Sequence, residues 1–205
     1  MTVVLTGTTL TLVDVVRVAR QGGRVELDAG AVERMRASRD VVDAALASGE
    51  QVYGFSTGVG MRKLFAIEED QASFNRLLIR GHLVAQGPTA SEDVVRATVL
   101  KLANMLARGS SGARAELAQR LVDALNDGLA PSVRMLGSVG QADLGPNADL
   151  AYGLLDGFEL AAGEALVLVD NNAFSTALAR KPLPANDGRP HGDDAHARRR
   201  RSGRA

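Results

Sequence analysis

The chain has 205 residues, 45% of them apolar, no cysteine and a formal charge of zero. That length suits one domain or one and a half, and the missing cysteine excludes a disulfide scaffold, a thiolate zinc site and a cysteine nucleophile. The longest aliphatic run, residues 165–169, is far too short to cross a bilayer, and the N-terminus lacks the basic region and cleavage pattern of a signal peptide, so a cytoplasmic protein with no membrane partner is expected.

In chain order, residues 2–6 (TVVLT) and 24–27 (RVEL) read as short strands. Residues 12–21 read as a helix stopped by Gly22-Gly23. From Asp28 a second helix is predicted, with Val32, Met35, Val42, Ala45 and Leu46 on one face and Gly49 as its stop. Residues 52–60 then form a loop whose YGFSTGVG holds three glycines in eight residues. Helical spacing resumes over 68–82. Ser91 is placed to cap the next helix, whose inner face is Val95, Val99, Leu102 and Leu106. A helix over 114–126 follows, with Leu117, Leu121 and Leu125 inward and Gly128 as stop. A second glycine-rich stretch, MLGSVGQADLGPN, precedes a helix over 148–161 with Leu150, Leu154, Leu155 and Phe158 inward. Residues 165–169 allow a strand, which five residues cannot settle. The fold class is mainly α, with short strands and glycine-rich loops.

The zero charge averages two unlike parts. Residues 180–205 carry eight basic and three acidic side chains, a net of +5, so residues 1–179 carry −5. All seven aromatic residues precede residue 175. The expected organisation is a globular region over 1–179 and a basic tail over 180–205 that cannot build a core. The run Arg198–Arg201 reads as solvated rather than as a nucleic-acid contact, since no aromatics interleave it.

Few residues point to chemistry unaided. The 54–60 loop lacks the lysine ending of a phosphate-binding loop. Tyr53 beside it reads first as packing, because a tyrosine base near neutral pH needs its pKa brought down from about 10. His82 is the only histidine before the tail and reads as structural. His191 and His196 lie beside Asp193 and Asp194 in the tail, where solvation outweighs metal binding. No metal site is expected.

Five ordered strings over about residues 10–179 nevertheless resemble the histidine and phenylalanine ammonia-lyases. VYGFSTGVG (52–60) resembles VYGxNTGFG. FNRLLIRGH (74–82) is similar to QxNLLxSH, and residues 95–114 to RAxxxxRxNxLAxGxSG. LNDGLAPSVRMLGSVG (125–140) resembles LNxxxxPxxPxxGSVG, and EALVLVDNNAF (164–174) is similar to EGLALxNGTxF. The resemblance implies the N-terminal part of that helical fold and elimination of ammonia from an amino acid, or an aminomutase reaction. The electrophile it implies is a methylidene-imidazolone ring built from an internal Ala-Ser-Gly. Tyr53 matches the family's base and His82 a histidine near the substrate. Gly60, Asn75 and Asp170 fall at substrate-side positions, and Asn104 matches a family asparagine.

The departures lie at the ring itself. The family reads GSVGASGDLAPLAH; here Gly140 is followed by Gln141, Ala142 and Asp143. Alanine has no β-oxygen to eliminate, so no ring and no other cofactor is expected. Asp170-Asn171-Asn172 replaces NGT, and an anion at 170 would repel a substrate carboxylate. Family members are much longer, and the resemblance ends near residue 179, as in a truncated or frameshifted reading frame. The expectation is a truncated homologue inactive as a lyase. The alternatives are ring-independent lyase or hydrolase chemistry using Tyr53 with Gln141 and Asp143, or a non-catalytic partner of an intact lyase subunit. The expected partners are an amino-acid-like molecule and other copies of the chain or a lyase subunit.

Overall fold

The structure is a computed structural model that describes residues 2–67 and 70–179. The tail over 180–205 and the first two residues of the 68–82 helix lie outside these. Strands β1 (Val3–Leu5) and β2 (Val25–Leu27) pair in parallel, Val3 opposite Val25. Between them runs α1 (Leu12–Gln21). Its start is fixed by a capping box in which Thr11 and Asp14 satisfy each other's free N–H groups, and its end by Gly22 at φ 66°. Helix α2 (Ala29–Ala47) starts where Asp28 accepts from the Ala31 N–H. Only Ala31 and Met35 of α2 are fully buried, so its predicted apolar face is covered less than its spacing suggests.

Helix α4 (Glu92–Ala107) is the axis of the core. Val95, Val99, Leu102 and Leu106 are buried as expected, but Val94, Leu100, Ala103 and Ala107 on other faces are buried too. Helices α1, α5 (Ala115–Asn126) and α8 (Ala173–Ala179) pack around it. Each fully buried leucine contributes about 2 kcal/mol by leaving water. Ser91 stands at the N-cap but makes no capping bond; its hydroxyl donates to Asp93, whose Oδ1 takes the Val94 N–H. Buried Arg96 donates to the Val18 and Leu125 carbonyls, satisfying the ends of two neighbouring helices.

Several elements differ from expectation or carry no local signal. Helix α6 spans Leu144–Leu154, so it begins inside the glycine-rich stretch and ends earlier than the periodicity suggested. Pro146 sits in its first turn, where a missing N–H costs nothing. Residues 164–169 are helix α7 (Glu164–Val169), not a strand, and Asn171 satisfies its last carbonyls at Val167 and Leu168. Strands β3 (Gln86–Thr89) and β4 (Arg134–Leu136) pair antiparallel across a bulge, a match of distant segments that no local pattern announces. Helix α3 (Gln71–Gly81) follows Asp70, whose side chain accepts from the Ser73 N–H.

Candidate functional site

The 52–67 loop is built from the inside. The Phe55, Ser56 and Thr57 N–H groups all reach the Val52 carbonyl, Gly58 N–H reaches Phe65, and Ile67 N–H reaches Ser56. Gly60, at φ 57°, opens a single 3-10 turn and aims its N–H at the Tyr53 Oη, 2.9 Å away. Tyr53 is 46% exposed, so its oxygen is positioned by the loop and reachable from outside. Arg62 and Lys63, close in sequence, make no bond to it.

His82 is half-buried at the end of α3, and its Nδ1 lies 2.7 Å from the Leu78 carbonyl. A carbonyl only accepts, so Nδ1 carries the proton and Nε2 is the nitrogen left to act on another group. Asn75 is 1% exposed. Its Nδ2 donates to the Leu160 and Ala161 carbonyls and its Oδ1 accepts from Ala165 N–H, so its donors are spent on tying α3 to the start of α7. Asn104 accepts from Gly7 N–H in the same structural manner. Asp170 is the exposed residue that ends α7.

In the 137–143 segment, Gly140 turns at φ 81° and Val139 N–H meets the Ala142 carbonyl at 3.1 Å. Gly140 and Gln141 are exposed at the tip, while Ala142 and Asp143 are buried. Ala85, three residues after His82, packs so closely on Gly137 and Gly145 that a Cβ on either would meet it at 3.1–3.2 Å. The Tyr53 loop rests on the front of α7, where Gly54 abuts Leu166 and Phe55 covers Gly163. The 137–143 segment joins its far end, through Asp143 N–H to the Asn171 carbonyl. A six-residue helix, about 9 Å long, therefore holds both parts in register.

A profile of the aromatic amino acid lyase family matches residues 10–159. The chain belongs to that family. It is 41% identical over 175 residues to the histidine ammonia-lyase of Streptomyces griseus, covering 80% of this chain and 34% of that one. It is 36% identical over 184 residues to that of Caldanaerobacter subterraneus subsp. tengcongensis, covering 89% and 35%. The chain thus spans about a third of the length of these curated relatives. Among solved structures, the histidine ammonia-lyase of Trypanosoma cruzi superposes with a TM-score of 0.79 at 28% identity, covering 88% of this chain and 40% of that one. The ergothioneine-degrading enzyme Ergothionase of Treponema denticola superposes with a TM-score of 0.82 at 27% identity, covering 88% and 41%.

The residues here do not fit the ring that the resemblance implies. Between Gly140 and Asp143 stand only Gln141 and Ala142, and the Ala142 methyl is 1% exposed with no hydroxyl to lose. Ser138 belongs to the preceding GSVG and its Oγ lies 3.4 Å from the Ala142 carbonyl. Among the described residues no group of three or more His, Asp or Glu is clustered to hold a metal, and no helix is long and apolar enough to cross a membrane.

Sequence reasoning missed Asn147 and Asn171. The family pattern has leucine and glycine there, and here the two amides meet, Asn147 Nδ2 lying 3.2 Å from Asn171 Oδ1. The substitutions were visible in the strings, but their pairing needs the α6–α7 packing.

Proposed function

We propose that this chain is a member of the aromatic amino acid lyase family that works without the ring and does not release ammonia by the ring-dependent route. The replacement of Ala-Ser-Gly by Gln141-Ala142, with the Ala142 methyl buried, carries this reading. Intact-mass measurement of the purified chain tests it, with incubation against L-histidine, L-phenylalanine and L-tyrosine. The expected result is the unmodified mass, 21.5 kDa, and no α,β-unsaturated acid. Loss of two waters from the peptide spanning Met135 to Arg180 overturns it.

A second reading keeps chemistry at Tyr53. The Gly60 N–H that positions the phenol oxygen, and its exposure, favour it. Tyr53 then takes a proton from an amino-acid-like molecule whose leaving group departs without an electrophile, with His82 Nε2 as the second proton-handling group. Self-association, or pairing with an intact lyase subunit, fits the exposure of Met61 (98%), Leu64 (77%) and Phe65 (63%) beside that tyrosine. Light scattering coupled to size exclusion tests it: a monomer at all concentrations, unchanged by an intact lyase, removes this part of the reading.

A further inference from the structure

Helix α3 and the chain that leaves α6 enclose a cleft of about 720 Å³, lined by Arg76 and Arg80 from the helix and by Asp156 and Glu159 from the outgoing segment. Its floor is apolar, made by the buried Ile79, Leu155 and Leu160. The volume lies within the ~300–1,000 Å³ of small-ligand sites. None of the lining residues comes from the Tyr53 loop or the 137–143 segment.

The two walls are fixed by backbone ties. Asn75 Nδ2 donates from α3 to the Leu160 and Ala161 carbonyls, which sets the approach of the segment to the helix. Arg114, at the start of α5, donates from Nη2 to the Glu159 carbonyl, and its guanidinium lies 5.7 Å from the centre of the Phe158 ring. Across the cleft the charges do not meet. None of the ion pairs among the described residues joins either arginine to either acid. Arg76 donates only to the Ser73 hydroxyl on its own helix, and the Arg80, Asp156 and Glu159 side chains make no hydrogen bond among the described residues. Arg76 and Arg80 stand one turn apart, where like charges destabilise a helix. Each wall therefore carries an excess of one sign that the other wall does not cancel.

We propose that this cleft binds a short peptide with free termini, its carboxylate at Arg76 and Arg80, its ammonium at Asp156 and Glu159, and an apolar side chain on the floor. The lining asks for both signs on one ligand, held apart by an apolar body. Guanidinium groups pair with a carboxylate through two parallel bonds. Two or three residues of extended chain span ~7–10 Å, a size suited to this volume. A free α-amino acid carries both charges on one carbon and serves one wall at a time. An inorganic ion serves one wall and leaves the floor wet.

Isothermal titration of the full chain with the tripeptide Ala-Leu-Ala tests this, beside its N-acetyl form, its C-terminal amide and free L-leucine. The free tripeptide binds saturably. Either capped form, and L-leucine, binds roughly tenfold more weakly or worse, the worth of one charge-assisted contact. In the double variant Arg76→Gln with Arg80→Gln, the amide binds as the free tripeptide does, while the acetyl cap still weakens binding. Asp156→Asn with Glu159→Gln shows the reverse. All four side chains are exposed, so both variants keep the parent's circular dichroism and Tm. No saturation at about 10 mM, caps without effect, or cap effects unchanged in both variants overturn the site. L-leucine binding as tightly as the tripeptide overturns the peptide as its ligand.

Discussion

Arg134 and Asp149 grip each other through backbone and side chain together: the Arg134 N–H and Nε each lie 3.0 Å from Asp149 Oδ2, and Nη2 lies 2.8 Å from Oδ1. Both depart from the family pattern, which has proline at 134 and histidine at 149. Proline has no N–H and no guanidinium, so all three bonds depend on the two departures occurring together. Asn147 and Asn171 repeat the arrangement nearby. In both pairs each departure supplies the hydrogen-bonding partner of the other.

Arg134→Pro alone strands the Asp149 carboxylate, whose side chain is only 4% exposed, and Asp149→His alone leaves the guanidinium unpaired. Each lowers Tm, and the proline change lowers it more because a buried charge loses every partner. The double variant that restores both pattern residues recovers part of the loss. A thermal double-mutant cycle reads the coupling; strictly additive effects would sever the two positions.

The acid limb of the stability curve carries a small contribution from Thr11 and Asp14. The Thr11 hydroxyl and N–H bond the Asp14 carboxylate, Arg17 adds its charge, and the carboxyl is held below its ordinary value of 3.8. A depressed carboxylate stabilises the fold fully above pH 3.8 and less as pH falls below it through the folded-state value. The Asp14 side chain is 24% exposed at the surface end of α1, so solvent screening keeps the contribution to at most about 0.5 kcal/mol. Thr11→Ala flattens the pH dependence of Tm below pH 3.8. An unchanged slope there would remove Thr11 as the cause.

Much of the fold was legible because α1, α2, α4 and α5 carry local signals: apolar residues at helical spacing and glycine stops at 22, 49 and 128. Helix α7 was not, since ALVLV suits either a strand or a buried helix, and what decides is Asn171 bonding the Val167 and Leu168 carbonyls. The start of α6 hid among glycines and a proline, residues that favour turns, and is held by packing on Ala85. At the site, the missing serine was read directly from the string. The roles of Asn75 and Asn147 were not, because a buried amide's partners come from segments far away in sequence.

Phe55 fixes the Tyr53 loop by lying across Gly163, and that contact separates two kinds of glycine. Gly163 has φ 81°, and a Cβ there would fall 2.1–2.3 Å from the Phe55 ring. Gly157 has φ 73° with nothing within 4 Å. Gly157→Ala therefore costs only backbone strain, about 1 kcal/mol, whereas Gly163→Ala costs that and the displacement of the ring, about 3 kcal/mol in all. Urea unfolding of the two variants measures the difference. Equal losses would mean that the ring yields freely and does not anchor the loop.

Under the second proposed reading, acid–base chemistry depends on Tyr53. Tyr53→Phe removes the acceptor of the Gly60 N–H and nothing from the core, because both groups lie at the surface of the loop. Stability therefore falls by no more than about 1 kcal/mol. A general base contributes roughly a hundredfold or more, so proton abstraction from an amino-acid-like substrate falls at least that far in the variant. Arg62→Ala and Lys63→Ala, whose side chains do not bond the phenol, leave the rate within about twofold, since surface charges act weakly through water. Exchange of the substrate's β-hydrogen with deuterated solvent, followed by NMR, reads the proton step without requiring that a leaving group depart. Exchange at the parent rate in Tyr53→Phe would end the case for this tyrosine as the base.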